Sequence, residues 1–217
     1  MHKPTIAGAA ALVAAPALAL AGIAVTPTMS DHAADQVTAL TVHHSGMIIG
    51  LTLQTLAVCL LIAGTAWLAL VVSKQTPKLA FAGGTLGIAG FLVVLFENGA
   101  AAASSTMVGG LDQATATRLL DHIHSSALAG LEPLSLLGDL GLALLAVGAA
   151  KAGAAQWTPV AITVGAIGTA AGFATGNKPV LLITFAVLLV GLAGATASLL
   201  ASPVRRARQD QVIVPAG

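Results

Sequence analysis

Apolar residues run along this chain in long blocks, and polar residues gather where the blocks end. Six blocks read as helices able to cross a bilayer, which takes about 20 predominantly apolar residues. They cover about 6–25, 45–72, 79–99, 125–150, 157–174 and 180–201. The first follows His2 and Lys3 and includes Ala19-Leu20-Ala21, which resembles a secretory cleavage site. Its apolar run exceeds the roughly 7–15 residues of a signal core, so it reads as a retained helix. The second is longer than a crossing requires and predicts a tilted or protruding helix.

The polar segments between the blocks have characters of their own. AADQVTALTVHH predicts a short amphipathic helix leading into the second span, and DQATATRLLDHI a surface helix capped by Asp112. The third span is expected to end near Glu97-Asn98-Gly99, leaving an external connection up to the fourth. SKQTPK and TGNKP read as tight turns, and Pro203 is expected to end the last span before a polar tail, 204–217. The sixth span is the most uniformly apolar and is expected to face lipid most.

The stretch HIHSSALAGLEPLSLLGDLGLALL breaks the apolar monotony. Read as one helix, it sets Ser125, Glu132 and Asp139 seven residues apart on one flank, with Ser135 beside them. An ionisable group inside a spanning helix is costly and belongs against a partner helix or a wet cavity. Counted back from Lys151, Asp139 lies near mid-depth and Glu132 near the outer interface, about 18 and 28 Å from the inner end. Gln54 reaches a similar outer depth.

Composition settles the class. Hydrophobic residues make up 57% of the 217 and charged ones only 8%, with a mean hydropathy of +0.94. That is too little polar surface for a soluble globule, so the partner is the lipid bilayer. The charges are sorted as well. Lys3, Lys74, Lys78, Lys151, Arg205, Arg206 and Arg208 fall on one side of the map, Arg118 and Lys178 on the other. By the positive-inside rule the seven mark the cytoplasm, which places both termini there if the first segment is kept. The expected fold is an all-α, multi-pass integral membrane protein of the cell membrane: about six helices, short cytoplasmic turns and longer extracytoplasmic connections. A single cysteine, Cys59, excludes a self-contained dithiol activity and reads as a buried small hydrophobe. No basic, aromatic-interleaved patch supports nucleic-acid binding.

The candidate chemistry collects toward the outer side. Glu132, Asp139, Glu97, Asn98 and Gln54 form the candidate ligand or proton site, with Thr52, Thr163 and Thr169 as further hydrogen-bond partners for Asp139. His43, His44, His122 and His124 at the heads of spans two and four are the candidate ligands for a divalent metal. Their spacing fits no known metal motif, and end-of-span positions disfavour haem. Glu132-Pro133 reads either as a kink that opens carbonyls beside a carboxylate or as a tolerated first-turn proline. No nucleophile elbow or phosphate loop is present, so nothing argues for catalysis. Gly83-x3-Gly87 in span three, and the glycines of span five, are faces that admit close helix approach, within the chain, to a second copy or to another membrane subunit.

The start of span two at His43-His44, the run SKQTPKLAFAGGTLGIAG and the amphipathic LDQATATRLLDHI together carry a family resemblance. Over about 6–203 the chain resembles the small, uncharacterised six-helix bacterial membrane proteins of GC-rich genomes, one of the domain-of-unknown-function groups. The resemblance implies the fold and no activity. The expected function is binding or translocation of a small ligand or ion, proton or metal, through the outer polar cluster. The alternatives are a non-catalytic accessory subunit of a membrane complex and, third, an intramembrane enzyme acting on lipid.

Overall fold

The computed structural model describes residues 3–27, 32–125 and 131–212, and within these ranges it is helical, with no strand. The side chains of residues 3–5, 124, 132 and 202–212 lie outside the described part. Eight helices follow in order: α1 (Lys3–Val25), α2 (Ala33–Val42), α3 (His44–Ser73), α4 (Pro77–Val108), α5 (Gln113–His124), α6 (Glu132–Lys151), α7 (Thr158–Ala174) and α8 (Lys178–Val212). Five of them (α1, α3, α4, α6 and α8) are long and apolar enough to cross a membrane, and α7 is a shorter apolar helix of 17 residues.

Six helices close into a ring. α1 packs on α3, α3 on α4, α4 on α6, α6 on α7, α7 on α8, and α8 returns to α1. Neighbours run antiparallel, as the glycine contacts record. Gly8 meets Trp67 at one end of the α1–α3 pair, and Gly46 approaches the Val25 carbonyl at the other. Gly172 lies against Leu181 and Gly194 against Trp157, so α7 runs the length of the ring beside α8. Glycine removes the side chain that would hold two backbones apart, and most of the closest approaches depend on it. The tightest is α4 on α6: a Cβ on Gly90 would land on the backbone of Gly138, and one on Gly141 on the backbone of Gly87. The glycine faces of α4 and α7 are thus occupied within the chain.

The outside of the ring is apolar and bare. Leu70, Phe81, Ile167 and Ile183 are 65–77% exposed, as side chains facing lipid should be. Cys59 is on this outer face as well, exposed rather than buried, because the inward face of its helix is taken by Ala57, Val58 and Leu61. α8 is no more lipid-facing than its neighbours, since it buries Phe185, Leu188, Leu192 and Ala195 along one side.

One end of the ring carries a cap. α2 and α5 pack together and onto the adjoining ends of α3 and α4, burying Val37, Leu40, Leu51, Val108, Ala116 and Leu120 in a second, small core. Both helices are where the polar pattern predicts them. Asp112 accepts a hydrogen bond from the Thr115 amide at 3.1 Å, the N-cap expected of it, and the Thr115 side chain together with that amide holds its carboxyl below the usual carboxylate range. At the same end Lys178 donates to the carbonyls of Ala24 and Thr26 at 2.9 and 2.7 Å. The sequence assigns Lys178 to a tight turn; it also opens α8, and its cation caps α1, joining the last helix to the first. Replacing it with methionine keeps the aliphatic stem and removes the donor. Lys178→Met is expected to cost about 1 kcal/mol, lowering the thermal midpoint by roughly 2–4 °C in a calorimetric or light-scattering melt.

Three boundaries differ from expectation. α4 does not stop at Glu97-Asn98 but continues to Val108, since ENGAAAASSTMV holds no proline and the single Gly99 does not end a helix whose next glycines are Gly109-Gly110, and Ser104, Ser105 and Thr106 bond back to carbonyls of their own helix. α8 runs through Pro203 to Val212. The stretch from His122 to Leu145 is not one helix: α5 ends at His124, Ser125 is its C-cap, and α6 begins at Glu132, with 126–130 outside the described residues. Pro133 therefore sits in the first turn of α6, where a missing amide costs nothing, and no mid-helix kink is formed.

Candidate functional site

The ring is solid in one half and hollow in the other. Away from the cap, Leu12, Leu68, Leu145 and Leu192 meet at 0–1% exposure and fill the interior. Toward the cap the interior opens into a cavity of about 360 Å³, and all six ring helices line it. α1 contributes Ala19 and Ile23, and α3 contributes Gln54, Ala57, Val58 and Leu61. Glu97 and Asn98 come from α4 together with Phe91 and Val94. α6 brings Ser135 and Asp139 from its first two turns, α7 brings Thr169 and Phe173, and α8 brings Phe185 and Leu188. The extension of α4 beyond the expected boundary matters here. It puts Glu97 and Asn98 inside a continuous helix rather than at a frayed end.

Four of the five expected ligand-site residues thus share one space: Asp139, Glu97, Asn98 and Gln54. Glu132 is the first residue of α6, one position before Pro133, which also lines the cavity; the Glu132 side chain is outside the described residues. Ser125, expected on the same stripe, is at the end of α5 and bonds back to the carbonyls of Asp121 and His122.

The polar groups differ in how far they are engaged. Gln54 donates to the Thr26 hydroxyl at 3.2 Å, and Thr169 to the Gly165 carbonyl at 2.8 Å, so both are committed to helix contacts. Glu97 and Ser135 each have an interaction. No hydrogen bond or ion pair joins the Asp139 side chain to another described residue. The Asn98 amide nitrogen is likewise buried without a partner among the described residues. Of the other expected partners for Asp139, Thr52 is exposed and bonds to Ile48, and Thr163 is absent from the lining.

The lining also holds residues that the polar pattern misses. Phe91, Phe173 and Phe185 reach the cavity from three helices, and the last two meet edge to face at 6.4 Å and 87°. The chain has only five phenylalanines, so three in one cavity is a signal that a count of rare aromatics by depth could have raised. Pro133, Leu136, Phe173 and Ala174 are exposed although they line the space. They set its rim between the start of α6 and the end of α7, at the capped end.

His43, His44 and His122 do not join this cavity. His43 and His44 are exposed and line a separate open recess with Asp35 and Lys178, and His122 is exposed on α5, outside that recess. The His124 side chain lies outside the described residues. Among the described residues, no group of three or more His, Cys, Asp or Glu side chains could hold a metal ion.

No protein-family model, curated protein or solved structure matches this chain. Whatever is said of its function therefore rests on the cavity.

Proposed function

We propose that this chain is an integral membrane protein that binds a small molecule in the cavity between its six ring helices, and that all six cross the bilayer. The observation that carries the reading is the state of Asp139. A carboxylate used to clamp helices together would be hydrogen-bonded to one of them, whereas this one lines an open space with no such bond among the described residues. Cavity size and composition agree with a ligand site: mostly apolar walls, a few convergent polar groups, and a volume at the lower end of the roughly 300–1,000 Å³ of such pockets. The packed leucines below give the cavity a floor, so the state described here binds rather than conducts.

A sixth crossing by α7 is supported by its antiparallel run beside α8 and by a length of about 26 Å for its 17 residues. Lys74, Lys78 and Lys151 lie at the end opposite the cap, with Arg118 and Lys178 at the capped end. By the positive-inside rule the cap and the cavity rim then face the extracytoplasmic side of the cell membrane, with both termini in the cytoplasm.

Native mass spectrometry of protein released from its own membranes tests the binding role. The expected spectrum carries a small-molecule adduct that is lost in Ala170→Phe, a change that fills the cavity from α7. An unliganded wild-type protein, or an adduct that survives in the filled variant, contradicts the reading.

A further inference from the structure

The lining is unbalanced in charge. Asp139 and Glu97 are acidic, and among the described residues no lysine, arginine or histidine lines the cavity. Burying a carboxylate in an apolar space without a counter-charge is expensive, and Asp139 draws no hydrogen bond from its described neighbours to offset that cost. The same lining holds Phe91, Phe173 and Phe185, in a chain with only two other phenylalanines. Aromatic faces attract cations, most strongly where water is excluded.

Resting on the binding role proposed above, we infer that the cavity takes an organic monocation: an amine or quaternary ammonium carrying an apolar ring or short chain. The ammonium would lie against Asp139 and the aromatic rings, and the apolar part against Leu61, Leu142 and Leu188. The Asn98 amide, whose nitrogen is buried without a described partner, is left to donate to any oxygen the molecule carries. Two other occupants fit less well. A bare metal ion needs about six oxygen donors at close range, and this space is far larger than an ion and mainly apolar. A neutral hydrocarbon would fill the volume and leave the Asp139 carboxylate uncompensated. The rim at the capped end, formed by exposed Pro133, Leu136 and Phe173, is where an amphipathic molecule resting with its charge at the membrane surface would arrive.

The probe pair is benzyltrimethylammonium and its uncharged carbon isostere neopentylbenzene, alike in shape and different in charge. Binding to the full chain in nanodiscs is measured by equilibrium dialysis against protein-free nanodiscs, which subtracts partition into lipid. The wild type is expected to bind the cation at least about tenfold more tightly than the isostere. Asp139→Asn is expected to remove that preference while changing isostere binding by no more than about twofold. If Asp139→Asn is not recovered folded, Phe185→Leu serves instead, and the cation should lose more affinity than the isostere. Equal binding of the two probes, or unchanged cation affinity in Asp139→Asn, overturns the assignment but leaves a binding cavity. Binding of neither probe also overturns it, and the adduct experiment then decides the binding role independently.

Discussion

Gly141→Val is expected to unfold the ring at its tightest seam. A Cβ at Gly141 would collide with the amide nitrogen and Cα of Gly87 and lie 2.6 Å from the Gly83 carbonyl oxygen. These are backbone atoms of α4 and cannot rotate away as a side chain would. The two helices must separate, and the packing lost along α4 and α6 places the cost at the upper end of overpacking effects, about 3 kcal/mol. Because α4 and α6 both line the cavity, their separation would also disperse Glu97, Asn98 and Asp139. The measurement is a detergent-denaturation midpoint together with the elution profile of the purified chain. Gly99→Val is the control: it is on α4, the other helix of that seam, but a Cβ there meets nothing within 4 Å. Its midpoint should stay close to that of the wild type, and a loss as large as that of Gly141→Val would show that helix propensity, not the α4–α6 contact, governs stability.

How far the chain can be read without coordinates depends on what each feature rests on. The long helices are legible because hydropathy over some 20 residues is a strong, local signal. α3 and α7 begin and end within a residue of the expected bounds, and the Asp112 cap follows from a local rule. The small-residue face of α4 is legible too, although its partner, Gly138 and Gly141 on α6, requires the pairing of helices to be known. The junction before α6 is harder. HIHSSALAGLEP is apolar enough to extend a span by composition, and only Pro133 marks a helix start. Reading through it placed His122 and His124 at the head of a span and drew them toward a shared site, whereas both belong to α5 on the cap. The ring itself is a non-local fact. Nothing in the local pattern around Lys178 indicates that its ammonium reaches the end of α1, more than 150 residues earlier in the chain. The same holds for the phenylalanines. Each reads as one more apolar residue until three helices bring them to a single cavity.

The account rests on the inward direction of the polar side chains in the capped half, and thiol accessibility addresses that most directly. Cys59 is exposed and is first replaced by serine. Ser135→Cys and Asn98→Cys then report on the cavity lining, and Leu140→Cys, a neighbour of Asp139 that is 50% exposed on the outer face, reports on lipid. Methanethiosulfonates react with the thiolate, which forms where water reaches the sulfur and not in hydrocarbon. With the membrane-impermeant ethyltrimethylammonium reagent applied from the extracytoplasmic side, cysteines at 135 and 98 are predicted to react at least about tenfold faster than the one at 140. Cysteines at 135 and 98 as inert as the one at 140 would contradict the account, because the acids beside them would then face no accessible cavity.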